Sequence, residues 1–364
     1  FQAEDGIRDF CLSRGLGDVY KRQEKNISND YQFFEGFASL GGEHMGAKPK
    51  KGKLTEESQK GSTLWSAIKT KYFISAIVPN NPGTAARVES ELIEKSPENN
   101  TDITQNTSNS NSFTLYLGPL DYDNLKSFDV DLESNVDLGW ALFRPIGQLI
   151  SWMLTKMYAI IPNYGVVVIL FAFLIKLLLN PLTVKTFEST RKMQALAPEI
   201  NKIKEKYKND PQKMSRAQME LYKSSGANPM GGCLPMLIQM PILVSVFSIF
   251  RSKIEFRGAP FFGWIDDLSV PDTLTELGGF PINILPVLMG STMFIQQKMM
   301  AAPNADANQK TMMYVMNVFF LFLFYSFPSG LNLYYFVFNL LSIIQQKYMI
   351  PNPTEAGSVV PLNK

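Results

Sequence analysis

The chain contains 364 residues, of which 45% are apolar and 19% charged, whereas roughly 25% of residues are charged in an average soluble domain. Its formal net charge of +2 provides no general attraction to nucleic acid. The two cysteines, Cys11 and Cys233, and the single histidine, His44, are too few for a disulfide framework, a cysteine zinc site or a multi-histidine metal centre. These counts exclude most classes of hydrolase and metalloenzyme.

The N-terminal residues 1–23 lack the apolar segment of ~7–15 residues that a signal peptide requires. They differ in composition from the rest of the chain and resemble a translated cloning linker. We interpret them as a non-native leader and expect the fold to begin after it.

Residues 24–138 are predicted to form a partial, β-sandwich-like domain. Tyr72–Val78 and Phe113–Leu117 are strand candidates, and each is ended by proline and glycine. Between them, Glu98–Ser112 is polar and of low complexity, which predicts a long flexible loop.

Residues 139–156 mix apolar and polar positions. Ile146, Leu149, Ile150 and Met153 recur at three- and four-residue spacing. This pattern predicts an amphipathic helix that lies at a membrane surface. A buried helix of a soluble domain is the alternative interpretation.

Residues 157–350 are rich in long uncharged segments, and a run of ~18 or more apolar residues indicates a membrane span. The first span is predicted from Ile160 to about Thr183, with its end at Asn180-Pro181. The other predicted spans are about Gly231–Phe250, about Pro281–Gln297, and two within 311–346 that are separated at Phe327–Gly330. The sequence therefore predicts a five-helix transmembrane core, followed by a cytoplasmic tail at 351–364.

The segment 184–225 between the first two spans is basic, with ten Lys and Arg residues. Apolar residues spaced 3, 4, 3 and 4 apart predict a coiled-coil seam. They are Met193, Leu196, Ile200, Ile203 and Tyr207. A break at Asn209–Pro211 and a second helix complete a helical hairpin. Because basic loops stay in the cytoplasm, the β-rich domain is predicted outside and the C-terminus inside.

Lys176 is the strongest single indication of function. It lies nine residues before Lys185, which is ~13 Å along a helix, and a lysine deep in a bilayer costs ~2.5–3.5 kcal/mol on insertion scales. A water-filled cavity or an anionic partner would explain that cost, and snorkelling of the side chain to the interface is the alternative. The five predicted spans contain no acidic residue, which argues against a proton relay. Asn180 and Gln239 are further candidates for lining such a cavity, although each alone is typical of an interhelical hydrogen bond.

Several longer motifs occur in a characteristic order. They are NPLT at 180–183, NPMGGCLP at 228–235, LIQMPI at 237–242, WIDDLS at 264–269, FPSGL at 327–331 and IIQQ at 343–346. In these motifs the chain resembles the YidC/Oxa1/Alb3 family of membrane protein insertases, of the Gram-negative YidC type. The resemblance implies an α-helical membrane protein with a five-helix insertase core, a cytoplasmic helical hairpin and a preceding partial periplasmic domain. It also implies an N-terminal signal anchor, so we interpret the chain as N-terminally truncated.

The resemblance implies roles for individual residues. Lys176 occupies the position of the family's positively charged groove residue, which is usually arginine, and Tyr335 the position of a substrate-contacting tyrosine. The resemblance also implies a hydrophilic groove that is open to the cytoplasm and to lipid and closed on the periplasmic side, and a role for the hairpin 184–225 in the capture of substrate.

The expected function is therefore a membrane protein insertase and chaperone of the bacterial inner membrane, without catalytic residues, metal or cofactor. It would move short hydrophilic segments of nascent client proteins across the bilayer and release apolar segments into lipid, alone or with the Sec translocon. The ribosome is a further partner by family analogy, but the tail 351–364 has one lysine, which argues against strong ribosome binding. A channel or solute transporter is the main alternative, and a membrane-anchored enzyme or an assembly scaffold are others.

Overall fold

The computed structural model describes residues 33–93, 96–105, 112–139, 141–226, 234–300 and 307–348. These residues belong to two compact units. The first extends to Asp137 and includes residues 252–254, and the second contains the rest.

The first unit is built on a seven-stranded antiparallel sheet with the order β2-β1-β3-β4-β7, in which β5 pairs with β3 and β6 pairs with β5. The strands are β1 (Glu35–Leu40), β2 (Glu43–Ala47), β3 (Thr55–Lys69), β4 (Phe73–Pro79), β5 (Gly83–Ile93), β6 (Ser96–Thr104) and β7 (Phe113–Pro119).

The long strand β3 divides this sheet into two parts. Its first half pairs with β5 and its second half with β4, and the register shifts between Lys60 and Thr63. Such an irregularity bends a strand and increases its twist. As a result, Ala86 and Val88 of β5 form one buried cluster with apolar side chains of β1 and β2.

The second core cluster centres on Trp65, which is fully buried. The helix α1 (Tyr122–Lys126) and a 3₁₀ turn at Leu132–Asn135 cover this part of the sheet. The indole Nε1 of Trp65 donates a hydrogen bond to the carbonyl of Val130 at 2.8 Å. A buried indole thus keeps its polar atom satisfied.

The two strand candidates of the sequence correspond to β4 and β7. The loop predicted for Glu98–Ser112 is wrong over its first part, because β6 pairs with β5 along its whole length, from Ile93 opposite Ser96 to Ala85 opposite Thr104. Polar composition alone suggested a loop, whereas cross-strand pairing stabilises polar residues in a strand. Residues 106–111 lie outside the described part of the chain.

The second unit is helical. Its helices are α2 (Arg144–Ile160), α3 (Tyr164–Ala195), α4 (Ala197–Lys206), α5 (Pro211–Ser224), α6 (Leu234–Ser252), α7 (Ile284–Met300), α8 (Ala307–Tyr325) and α9 (Ser329–Tyr348). A short antiparallel pair, β8 (Thr273–Leu277) and β9 (Phe280–Asn283), precedes α7. Helix α9 packs against both α3 and α7, and α7 packs against α8.

Helix α2 lies at the place of the predicted amphipathic helix. Gly147, Ile150 and Leu154 form its buried stripe, whereas Leu149 and Trp152 are exposed. Several of its large apolar side chains, including these two, therefore lie away from the core. Its position at a membrane surface stays a prediction.

The segment Tyr164–Val184 of α3 is, within the described ranges, the one helical segment long and apolar enough to cross a membrane, with a mean hydropathy of 2.4. The apolar part of α8, Thr311–Tyr325, is shorter. The predicted count of five spans therefore stays a prediction.

Helix α3 continues through Asn180-Pro181, while its segment long and apolar enough to cross a membrane ends at Val184, one residue beyond the predicted end at about Thr183. Pro181 lies inside a helix of 32 residues that continues to Ala195. A proline removes one helical hydrogen bond, here to the carbonyl of Leu177.

The basic hairpin consists of the end of α3 with α4 and α5, and α4 packs against α5. Its first arm is interrupted at Leu196, because Pro198 in the first turn of α4 has no N–H to continue the helix. The second arm begins where the sequence places the break, with the Asp210 carboxylate accepting the N–H of Lys213 at 3.0 Å.

Candidate functional site

The contact between α3 and α9 centres on Lys176. This side chain is only 7% exposed, and its Nζ donates a hydrogen bond to Ser342 Oγ at 2.8 Å. The ammonium group also lies 5.1 Å from the centroid of the Phe338 ring and 5.9 Å from that of Phe187. Throughout the described ranges, no carboxylate forms an ion pair with Lys176. Lys176 is therefore a buried cation with neutral partners.

One helical turn further along α3, Asn180 makes the second polar contact with α9. Its Oδ1 accepts a hydrogen bond from Gln345 Nε2. The Oε1 atom of Gln345 is buried and has no hydrogen-bond partner in the described part of the chain. Lys176 and Asn180 are four residues apart on α3, and their partners Ser342 and Gln345 are three residues apart on α9. Residues at these spacings lie on one side of a helix. The two pairs therefore form two polar stripes that face each other.

The polar stripe of α3 continues beyond Asn180. The hydroxyls of Thr183 and Thr190 bond to carbonyls one turn earlier in the same helix. At its end, Gln194 Nε2 donates to the carbonyl of Met299 at 3.2 Å. Gln346 of α9 donates to the same carbonyl at 3.3 Å. Amide side chains from α3 and α9 therefore hold the last turn of α7.

Tyr335 and Gln239 lie elsewhere around α9. The Tyr335 hydroxyl is buried and makes no hydrogen bond to any described residue, and its ring packs against those of Phe324 and Tyr334. Gln239 on α6 lies beside the hydroxyl of Tyr334. All four predicted groove residues thus lie on α9 or beside it. Only Lys176 and Asn180 contact the stripe of α9 that contains Ser342 and Gln345.

The predicted seam of the hairpin is divided between two helices. Met193 belongs to α3, Ile200 and Ile203 belong to α4, and Leu196 and Tyr207 flank α4. Ile200 is buried and the other four are half-buried, while most residues between them are exposed. The role of these residues in substrate capture stays a prediction.

A polar network closes the opposite end of α7. Asp272 is buried, and its Oδ2 accepts the N–H groups of Ile284 and Leu285 at 3.0 and 2.7 Å and the indole N–H of Trp264 at 3.2 Å. The carboxylate therefore caps α7. Burial raises the pKa of Asp272, although these hydrogen bonds act in the opposite direction. In the same region, Ser329 Oγ donates to the carbonyl of Asp267 at 3.0 Å.

Sequence reasoning missed Ser342 and the role of Asp272. The signal for Ser342 was its spacing of three residues before Gln345, which places these two polar side chains on one stripe of α9. Asp272 lies 12 residues before the start of α7, with the β8–β9 hairpin between them, so the local capping pattern gives no signal for its role. Among the described residues, no group of three or more His, Cys, Asp or Glu side chains could hold a metal ion.

A family model described as "60Kd inner membrane protein" matches residues 156–355, which is more than half of the chain. The chain belongs to this family. The model of a second family, described as "YidC periplasmic domain", matches residues 16–153. The resemblance carried by the sequence motifs is therefore confirmed, and members of this family are inner membrane proteins.

Curated relatives in the 60Kd inner membrane protein family carry the name "Membrane protein insertase YidC". That of Chlorobium phaeovibrioides is 37% identical over 94% of this chain and 61% of the relative. That of Chlorobaculum tepidum is 39% identical over 86% of this chain and 55% of the relative. That of Endomicrobium trichonymphae is 34% identical over 94% of this chain and 65% of the relative.

The chain thus spans about three-fifths of the length of the curated relatives that it matches. Among solved structures, it is similar to an active YidC insertase whose first transmembrane domain is resolved. That likeness has a TM-score of 0.45 at 20% identity, and it covers 86% of this chain and 83% of the other.

Proposed function

We propose that the chain forms the core of a membrane protein insertase, in which α3 and α9 line a hydrated, positively charged groove. The observation that supports this most directly is the burial of Lys176 with only neutral partners in the described part of the chain. Its family relatives are named as insertases, which supports the same function.

The energetics explain why a buried lysine suits this role. An unpaired ammonium group in a bilayer costs ~2.5–3.5 kcal/mol, and Lys176 recovers only part of that through Ser342 and two aromatic rings. Its charge is not cancelled by a carboxylate of the described chain, so it remains available to an acidic group of a client. Lysine retains the charge of the family's usual arginine but lacks its planar fork of donors.

A client protein has a hydrophilic tail that must cross the bilayer and an apolar segment that must remain in it. Crossing unaided requires desolvation of the polar groups of the tail. The polar stripe from Lys176 to Gln194 would shorten the apolar path for that tail. Transfer of the apolar segment from water to lipid, at about 25 cal/mol per Å², supplies the driving force without a nucleotide, a metal or a cofactor.

The proposal includes the arrangement in the membrane. Helices α3, α6, α7, α8 and α9 are the five spans, with the hairpin 184–225 and the C-terminus in the cytoplasm and the β-rich unit in the periplasm. The hairpin captures clients, Gln239 and Tyr335 contact them beside the groove, and the Sec translocon and the ribosome are further partners.

The test is insertion of a single-span client into liposomes that contain the purified chain, without translocon or nucleotide. Two clients differ only in the tail, which is acidic in one and neutral in the other. Protease protection of the tail measures its crossing. The variants are Lys176→Arg and Lys176→Leu, and the control is Lys298→Leu, which removes an exposed positive charge from α7.

We expect Lys176→Arg and Lys298→Leu to insert both clients, and Lys176→Leu to lose insertion of the acidic tail while it still inserts the neutral one. Equal insertion of the acidic tail by all variants would contradict the electrostatic role. No insertion above empty liposomes, together with ion flux through the same liposomes, would favour a channel or transporter.

A further inference from the structure

The hairpin formed by β8 and β9 carries an exposed apolar cluster on one of its faces. Leu277 pairs with Phe280, and Thr275 pairs with Ile282, so these four side chains share a face. Leu277, Phe280 and Ile282 are 73%, 77% and 38% exposed. Glu276 and its partner Pro281 lie on the other face. Leu274, which is 51% exposed, lies where the register of the two strands shifts. Glu276 is the only charged residue between Thr273 and Asn283.

The base of this hairpin is fixed to the ends of α7 and α8. Asn283 Nδ2 donates to the carbonyl of Tyr325 at 2.8 Å, and the Tyr325 hydroxyl donates to the carbonyl of Pro281 at 2.5 Å. Thr273 Oγ1 donates to Asn283 Oδ1 at 2.8 Å, which ties the two strands together. The apolar face is therefore held in a defined orientation relative to both helices.

Exposed apolar side chains also occur on α7, the helix that directly follows the hairpin. Val287, Leu288 and Ile295 of this helix are 48%, 39% and 46% exposed, and the first of them is only five residues beyond Ile282. An exposed apolar patch of this kind marks an interaction surface. The hairpin joins directly to a helix of an inner membrane protein, which indicates that the same apolar medium contacts both.

We propose that the apolar face of the β8–β9 hairpin inserts into the headgroup–acyl boundary of the lipid bilayer and anchors the end of α7 there. Three large side chains at the tip of a two-stranded hairpin are too few for the ~1,200–2,000 Å² that a stable protein interface buries. They suffice for a peripheral lipid contact, in which buried apolar area determines the binding strength. This contact does not depend on the transport of clients.

The test places an environment-sensitive NBD fluorophore on either face of the hairpin. Leu277→Cys and the matched control Glu276→Cys are made in a Cys11→Ser/Cys233→Ser background, and Phe280→Cys is a second variant for the apolar face. Each labelled chain is reconstituted into phosphatidylcholine–phosphatidylglycerol vesicles without client, with or without brominated acyl chains. Circular dichroism confirms that each variant is folded.

We expect the labels at Leu277 and Phe280 to show blue-shifted emission and to lose fluorescence with brominated lipid, while the label at Glu276 keeps an aqueous emission and is not quenched. Absence of quenching on the apolar face would overturn the proposal. Quenching of all labels to the same extent would also overturn it, because the two faces would then not differ. Self-quenching that rises with protein density, without lipid quenching, would assign the face to a second copy of the chain instead.

Discussion

Lys176 on α3 and Ser342 on α9 are joined by a 2.8 Å hydrogen bond, although they are 166 positions apart in the chain. The bond gives the buried ammonium one neutral acceptor and leaves its charge uncompensated by the described residues. The same contact thus fixes two helices and keeps a positive charge available between them.

A double-mutant cycle measures this relationship. We expect Lys176→Met and Ser342→Ala to be coupled by about 1–2 kcal/mol in the free energy of unfolding. Hydrogen bonds to charged groups are stronger than those between neutral groups. In a membrane their net contribution is smaller, because the unfolded state also finds hydrogen-bond partners. Denaturant unfolding in detergent micelles provides the measurement. Ser291→Ala is the control, because the Ser291 hydroxyl is exposed and bonds only within its own helix. Additive effects of the two variants would show that the bond contributes nothing.

Asn180 and Gln345 give a second prediction. Asn180→Leu leaves the Gln345 amide buried without its partner, which should lower the free energy of unfolding by about 1–3 kcal/mol. Asn180→Leu combined with Gln345→Leu should recover most of that loss, because both buried polar groups are removed. Thermal unfolding of the two variants in detergent measures the difference. A double variant less stable than the single one would indicate that Gln345 has another role.

Lys176 illustrates how far the sequence can predict this site. Its position in an apolar run indicated a buried positive charge, and Asn180 was a candidate for lining the same cavity. Its partners Ser342 and Gln345 could not be assigned, because periodicity defines the faces of a helix and not which distant helix packs on them. Only the tertiary contact of α3 with α9 identifies the pair.

Pro181 and the strand β6 show where local rules predicted the wrong structure. A proline predicts the end of a helix from local sterics, but α3 continues through Pro181. Polar, low-complexity residues predict a loop, but Ser96–Thr104 pairs with β5. For β6 the pairing with β5 determines the structure, and the composition of the segment alone does not reveal that pairing.

The basic hairpin gives a third prediction. Ile200 is the buried member of the predicted seam and lies on α4. We expect Ile200→Ala to destabilise the packing of α4 on α5 by about 2–4 kcal/mol, because the transfer free energy is lost and a cavity remains. Hydrogen exchange of the amides in α4 and α5 should then accelerate, while exchange in the rest of the chain is unchanged. The exposed neighbour variant Glu199→Ala is the control. Unchanged exchange in Ile200→Ala would mean that the two helices are not held together by this residue.

Asp272 gives a prediction about pH. Burial raises its pKa in the folded protein, so between the unfolded and folded pKa values the folded state binds more protons than the unfolded state. The stability contributed by this group is therefore fully present below the unfolded pKa, at about pH 4, and is lost as the pH rises through the folded pKa. Asp272→Asn removes the titration while an amide oxygen can still accept the N–H groups of Ile284 and Leu285.

The corresponding measurement compares denaturant midpoints of the natural chain and Asp272→Asn in steps upward from about pH 4. We expect the stability of the natural chain relative to the variant to decrease with rising pH and then to become constant. Asp272→Ala, which removes the cap entirely, should be less stable than Asp272→Asn by about 1 kcal/mol at every pH. A relative stability that increased with pH would mean that the hydrogen bonds from Trp264 and the start of α7 outweigh the burial of the carboxylate.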